Sequence, residues 1–296
     1  MNYRKLTQSI FRQGKGLHSG RDYELFIEPS DEALHLEVGG EGLPLSRLAL
    51  EGTGRGSDLI FPGGRRVRTC EHVFSALVGS GVWQARIAVS PAVAETSVAE
   101  TSVAEVPGLE FEMPGLDGCA ASLVEEILEK STPSSEGPRP LKLQYPVCAG
   151  DPSRFVIALP SQSFRVTYVI DYDAAPIGTQ IFDYGHASGG DEDAGYFREI
   201  APARTFAMES EVEALRAAGL ALGGSLDNAI LVGETKVEAK EGLRFSDEFV
   251  RHKVLDLLGD LANLGRPLVA HVVAVRAGHV QHLQLTERLR AVSRAV

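Results

Sequence analysis

Cysteine is scarce, with three in 296 residues, and Cys70, Cys119 and Cys148 are odd in number and lack CxxC spacing. A disulfide framework and a sulfur-rich zinc site are therefore excluded, and reduced, buried thiols are expected. Long apolar runs are missing too. The longest, such as Leu268 to Val275, are too short to cross a bilayer and are broken by His271, so no integral membrane segment is expected. Met1 to Gln8 lacks the apolar core of a signal peptide, which favours a cytoplasmic location. Basic charge is in deficit: 29 Lys and Arg against 40 Asp and Glu leave a net charge of −11. Nucleic acid is a poor partner for such a surface, because phosphate backbones need a basic one. A small phosphorylated ligand needs only a local cation or a helix N-terminus, and stays open. What is present, 44% apolar and 23% charged residues, is the composition of a globular protein long enough for one large or two medium domains.

The most informative stretch is Leu243 to Gly265. Val250, Val254, Leu257, Leu258 and Leu261 recur at helical period and predict a core-facing stripe, with Ser246 as N-cap and Gly265 as C-terminal stop. Glu248, His252, Asp256 and Asp260 stand four residues apart, which at about 100° per residue puts them in one polar row. An ordinary solvated face accounts for that pattern. Against it, no Lys or Arg stands four residues from Asp256 or Asp260, and these two are a like-charge pair that costs free energy on an isolated helix. A cation relieves the repulsion, and ligands at i and i+4 reach one divalent ion, although the HExxH glutamate is absent.

Along the chain, Ser9 to Gln13 and Tyr23 to Glu28 read as a hairpin around the Gly14 to Gly20 turn, which carries His18, by default a surface residue. Residues 32–62 suggest short strands. Thr69 is placed to cap a helix containing Val73, Phe74, Ala76 and Leu77, with Glu71 and His72 in its first turn. Glu71 there complements the helix dipole, or else Glu71 and His72 are base and ligand of a metal centre. The pentamer Ala-Glu-Thr-Ser-Val occurs twice in tandem within Val93 to Glu105 and reads as a duplicated loop or strand extension. Asp117-Gly118 is turn chemistry ahead of an amphipathic helix. Ser131 to Pro140 reads as a linker, giving domains at 1–131 and 141–296 joined by 132–140. Beyond it, Phe155 to Leu159 and Phe164 to Asp171 read as a hairpin, Ile177 to Phe197 as a mobile segment and Glu209 to Ala218 as a helix. The glycine-rich Gly219 to Ile230 lacks both GxGxxG and a Walker lysine. Pro267 to Val275 is a strand and Arg276 to His279 a tight turn, in which His279 reads as a surface residue. Both halves run strands, helix, strand, helix, an α+β pattern.

Taken together, Gly16-Leu-His-Ser-Gly20, Thr69-Cys-Glu-His72, Leu116-Asp-Gly118, Tyr168-Val-Ile-Asp-Tyr172, Ala203-Arg-Thr-Phe206, Gly223 to Asn228, Leu243 to Asp256, Gly259-Asp-Leu261 and Ala277-Gly-His279 resemble, in order, the UDP-3-O-acyl-N-acetylglucosamine deacetylase family. Those enzymes use zinc at the committed step of lipid A synthesis. The resemblance implies an α+β fold of two similar domains, each a small sheet on two helices, with the helix layers facing each other. It also implies a βαβ insert in the second domain that forms a passage for the acyl chain. It further implies that His72, His252 and Asp256 bind Zn2+, that Glu71 is the general base and His279 the acid, that Thr205 helps hold the oxyanion and that Asp260 orients His279. Lys253, Phe206 and His18 are implied on the substrate side. The expected ligand is the acylated UDP-sugar and the expected state a monomer without an obligate protein partner.

The chemistry agrees with that set. Amide hydrolysis needs a strong nucleophile, and zinc on three protein ligands lowers the pKa of its water to about 7. A glutamate adjacent to a ligand can take the water's proton, and a cationic histidine can protonate the departing amine. The chain departs from the family at Gly81-Val-Trp-Gln84, where Gly-Ile-Asp-Asn is common, and in the tandem pentamer; it ends soon after His279, so no fused dehydratase domain is expected. A silent metal-containing binding protein and a zinc hydrolase acting on another N-acetylated sugar remain as alternatives.

Overall fold

The computed structural model describes residues 2–92, 110–185 and 192–294; the tandem pentamer lies outside them. Residues of the amino-terminal half build a five-stranded sheet in the order Ile10–Lys15, Asp22–Ala33, Gln84–Pro91, His35–Val38 and Glu41–Pro44. Its period-2 pattern is plain in Asp22–Ala33, where Tyr23, Leu25 and Ile27 are buried while Phe26 and Glu28 face outward. A smaller sheet of Ala49–Gly52, Ser57–Ile60, Arg66–Arg68 and Glu110–Glu112 leads the chain into helix α1, Glu71–Gly79. Helix α2, Ala121–Glu129, follows. Ser131–Ser134, at the head of the proline-rich segment, pairs antiparallel with Tyr3–Leu6.

The second large sheet runs Val147–Asp151, Arg154–Pro160, Leu268–Val275, Arg165–Asp171 and Thr179–Tyr184, with Leu141–Lys142 also on Leu268–Val275. The hairpin expected of residues 155–171 is therefore not formed. Leu268–Val275 inserts between its two arms, antiparallel to one and parallel to the other. An eight-residue run of Leu, Val and Ala with one His has the composition of a central strand, and the centre is where it lies. The 177–197 stretch contains an edge strand, Thr179–Tyr184, and helix α3, Glu192–Glu199. Phe206–Met208, helix α4 (Glu209–Ala217) and Ile230–Val232 form a βαβ unit with parallel strands, and Val237–Glu238 pairs on its far side. Helix α5, Glu248–Ala262, and helix α6, His279–Arg294, complete a mixed α+β architecture of several small sheets and six helices among the described residues. None of those helices is long and apolar enough to cross a membrane.

Helix α5 is the axis of the molecule. Its apolar stripe is buried, and so are Glu248, His252, Asp256 and Asp260 on the opposite face, so the polar row is not a solvated surface. It meets α1 at a close crossing: a Cβ added to Gly259 would fall 2.0 Å from the Glu71 carbonyl oxygen, so only glycine fits. Two expected caps are corrected. Helix α5 starts after Asp247 rather than Ser246, and α1 starts after Cys70, neither with a side-chain cap bond. Thr69 instead sits at φ 55° with its hydroxyl directed to Glu112. Cys70 and Cys119 are buried, whereas Cys148 is exposed, because it lies on a strand at the sheet's edge.

Candidate metal centre

The α1–α5 crossing brings His72, from the first turn of α1, against His252 and Asp256, one turn apart on α5. One ligand atom from each lies within 4.8 Å of the others. Asp256 Oδ1 is 3.3 Å from His252 Nε2 and 3.9 Å from His72 Nε2, and the two imidazole rings stand edge to face with centroids 5.1 Å apart. His252 Nδ1 is 3.0 Å from the Ala203 carbonyl oxygen, which fixes the ring so that Nε2 faces inward. All three residues are buried. Burial, joined by the neighbouring His252, pushes His72 down to about 3, and burial also lowers His252. Both imidazoles are thus neutral, with lone pairs available for a metal.

Asp256 Oδ1 has no hydrogen-bond partner despite full burial, while Oδ2 accepts from Lys253 Nζ at 2.9 Å. Burial opposes its charge, but the cationic Lys253 and His279 beside it outweigh that and hold its pKa well below the ordinary value. A buried carboxylate oxygen facing two lone-pair nitrogens is costly with nothing between them. Two neutral imidazoles and one carboxylate are the donor set of an open three-ligand zinc site, and the residues fit such an ion.

Around this group the other expected residues divide. Glu71 is buried beside it, with Oε2 accepting the Ser57 amide at 3.2 Å. Burial raises its pKa; His279 lowers it, Asp260 and Asp256 raise it, and it settles at about 7. His279 opens α6 and is buried, not a surface turn residue; Arg276, at φ 51°, turns the chain just before it. Its Nε2 lies 3.6 Å from Asp256 Oδ2 and its Nδ1 2.9 Å from Asp260 Oδ2. Burial works against the imidazolium, but Asp260, Asp256 and Glu71 raise the pKa to about 9. Lys253 Nζ lies 5.5 Å from the Phe206 ring centroid, and that ring is 6.5 Å from the His252 ring. Thr205, half-buried, is held through its backbone by Gly118 and Ile230.

His18 hydrogen-bonds other residues. Its amide donates to Glu112 Oε1 at 2.7 Å, and its Nδ1 accepts from the Ala221 amide at 3.4 Å. The loop at 16–20 thereby docks on the loop at 221–223, and Leu222 and Gly223 also donate to its carbonyls. Glu248, the first residue of the polar row, leaves the metal group altogether. Its two oxygens accept from the Arg204 amide and guanidinium and from the Arg244 amide, pinning the 203–206 segment that supplies the carbonyl behind His252. Four residues were assigned no role from the sequence: Ser57, Glu112, Tyr168 and His282. Two left a trace, Tyr168 as the first residue of a matching block and His282 three residues after His279 on the same helical face.

Comparison with known proteins shows the family. Residues 3–291 match the model of the family described as UDP-3-O-acyl N-acetylglycosamine deacetylase. Relatives named UDP-3-O-acyl-N-acetylglucosamine deacetylase include that of Acidithiobacillus ferrooxidans, 36% identical over 297 residues covering 97% of this chain and 89% of the relative. That of Psychrobacter arcticus is 34% identical over 286 residues, 94% of this chain and 82% of the relative. That of Nostoc sp. is 35% identical over 301 residues, 99% of this chain and 100% of the relative. With the match running across nearly its whole length, the chain belongs to the UDP-3-O-acyl N-acetylglycosamine deacetylase family.

Proposed function

We propose that this chain hydrolyses the N-acetyl group of UDP-3-O-acyl-N-acetylglucosamine to acetate and UDP-3-O-acyl-glucosamine, the committed step of lipid A biosynthesis, with Zn2+ held by His72, His252 and Asp256. The observation that carries it is the buried Asp256 Oδ1, without a hydrogen-bond partner, facing two neutral imidazoles, with Glu71 and His279 close by. Bound there, zinc would supply a Lewis acid that polarises the amide carbonyl and acidifies water.

The protein's own groups handle the protons. Glu71, with Oε2 on the Ser57 amide, takes the proton of the attacking water on its carboxylate, and its pKa of about 7 suits a base working at neutral pH. As the new C–O bond forms, the C–N bond breaks with its electron pair on nitrogen, and His279 Nε2 gives that nitrogen a proton. His279 can do so because Asp260 on Nδ1 keeps the ring oriented and charged. Thr205 hydrogen-bonds the oxygen on which negative charge develops, and the half-buried Lys253, Phe206 and His18 meet the substrate. The βαβ unit at 206–232 borders the acyl passage.

The same reading takes the chain as two similar α+β domains, 1–131 and 141–296, joined by 132–140, their helix layers facing each other. Support comes from the two large sheets, each built from its own half, and from the packing of α1 on α5. It also takes the protein as a cytoplasmic monomer. The test is acetate release from the acylated UDP-sugar with chelator and with zinc restored. Activity lost to chelator and regained with zinc is expected; zinc-loaded protein that binds the nucleotide sugar and releases no acetate contradicts the proposal.

A further inference from the structure

The His279–Asp260 pair continues inward. Asp260 Oδ2, already 2.9 Å from His279 Nδ1, is also 2.8 Å from His282 Nδ1. His282 Nε2 lies 2.9 Å from the Tyr168 hydroxyl, which is in turn 2.8 Å from the Ala277 carbonyl oxygen. Asp260, His282 and Tyr168 are wholly buried. The Ser57 hydroxyl donates to Asp260 Oδ1, and the Thr286 hydroxyl lies 3.0 Å from the His282 carbonyl oxygen and 3.3 Å from that of Asp260.

Both ring nitrogens of His282 are engaged, Nδ1 on the Asp260 carboxylate and Nε2 on the Tyr168 hydroxyl, which also reaches the Ala277 carbonyl. Asp260, His279 and His282 are donor types that a metal would accept, yet both imidazoles meet the same carboxylate oxygen at hydrogen-bond distance. The grouping is a proton-sharing network joining α5, α6 and the strand Arg165–Asp171.

We propose that His282 and Tyr168 are positioning residues of the deacetylase site: anchored on Ala277, they fix the Asp260 carboxylate, which in turn sets where His279 Nε2 points. This rests on the reading of His279 as the acid. A buried network of this kind rigidifies when complete and is costly when one member is missing.

Side-chain amides separate the two ends of the network. His282→Asn keeps an N–H near the position of Nδ1 and loses the Tyr168 contact; His282→Gln does the reverse. His282→Gln is expected to lose about 10–100-fold in kcat, the range for residues that orient a site residue, with KM and bound zinc unchanged. His282→Asn is expected to keep more of kcat than His282→Gln. Tyr168→Phe, which retains the ring, should lower kcat in the parent and add nothing in His282→Asn. Nitrogen-15 NMR of the zinc-free protein should show both ring nitrogens of His282 hydrogen-bonded. Wild-type kcat in His282→Gln, a loss confined to KM or zinc content, independent effects of Tyr168→Phe and His282→Asn, or a His282 ring nitrogen free of hydrogen bonding each overturns the proposal. An inactive parent enzyme strikes the deacetylase reading itself, whereas an active parent with unaffected variants strikes only these positioning roles.

Discussion

Adding one methyl group at Gly259 tests whether the α1–α5 crossing builds the site. An alanine Cβ there stands 2.0 Å from the Glu71 carbonyl oxygen and 2.7 Å from the Glu71 Cα. Non-bonded carbons sit comfortably at about 3.5–4.0 Å, so α1 must retreat by roughly 1 Å or more. Two effects oppose each other. Alanine in a helix interior gains about 0.5–1 kcal/mol over glycine, and forcing a methylene into a packed core costs about 1–3 kcal/mol. The obstacle is the backbone of a buried helix rather than a movable side-chain tip, so the upper end applies and the net loss is about 2 kcal/mol. At roughly 2–4 °C per kcal/mol, Tm falls by about 4–8 °C. Catalysis suffers more, because α1 carries both Glu71 and His72, and a displacement of about 1 Å can cost on the order of 10²-fold in rate. Calorimetry, zinc content and acetate release on one preparation of Gly259→Ala decide the matter. A raised Tm with wild-type kcat would falsify the idea that this contact sets the site.

Three further outcomes follow from the same geometry. Glu71→Gln should keep zinc bound yet lose about 10²–10⁴-fold in kcat, the share of a positioned base; zinc loss or near-normal turnover in that variant removes Glu71 from the role. In the zinc-free protein, His279 is raised from 6.5 to about 9, so its contribution to stability is complete below about pH 6.5 and is lost as pH rises through about 9. Tm should therefore fall across that window, and Asp260→Asn, lacking the charge that holds the imidazolium, should flatten the fall; an unchanged slope contradicts this. Glu248→Ala strands the Arg204 guanidinium, whose pair is only 5% and 0% exposed, and should destabilise by about 3–5 kcal/mol in urea titration, a cost that a solvated ion pair does not show.

The parts of this fold that sequence discloses are those set by local spacing. The stripe of Val250, Val254, Leu257, Leu258 and Leu261 announces α5, and the i, i+4 pair His252–Asp256 sits one turn apart as its spacing requires. What depends on distant partners stays hidden. Residues 155–171 look like a hairpin because nothing nearby reveals that Leu268–Val275, about a hundred residues on, will separate the arms. His279 looks like a surface turn residue because its burial comes from Asp260 and Ser57, residues on other elements. Thr69 and Ser246 have capping chemistry but are not used for it, since Thr69 is drawn to Glu112 and the α5 start is held through Glu248 on Arg204. Glu248 shares the periodicity of His252 and Asp256 but serves as a structural clamp, a distinction that only its neighbours make.

The most direct measurement is an anomalous-scattering map at the zinc edge from crystals of the zinc-loaded protein. One peak per chain, within bonding distance of a nitrogen of His72, a nitrogen of His252 and Asp256 Oδ1, is the result expected. A peak elsewhere, or one that leaves Asp256 Oδ1 without a partner, contradicts the metal centre on which the hydrolytic account stands.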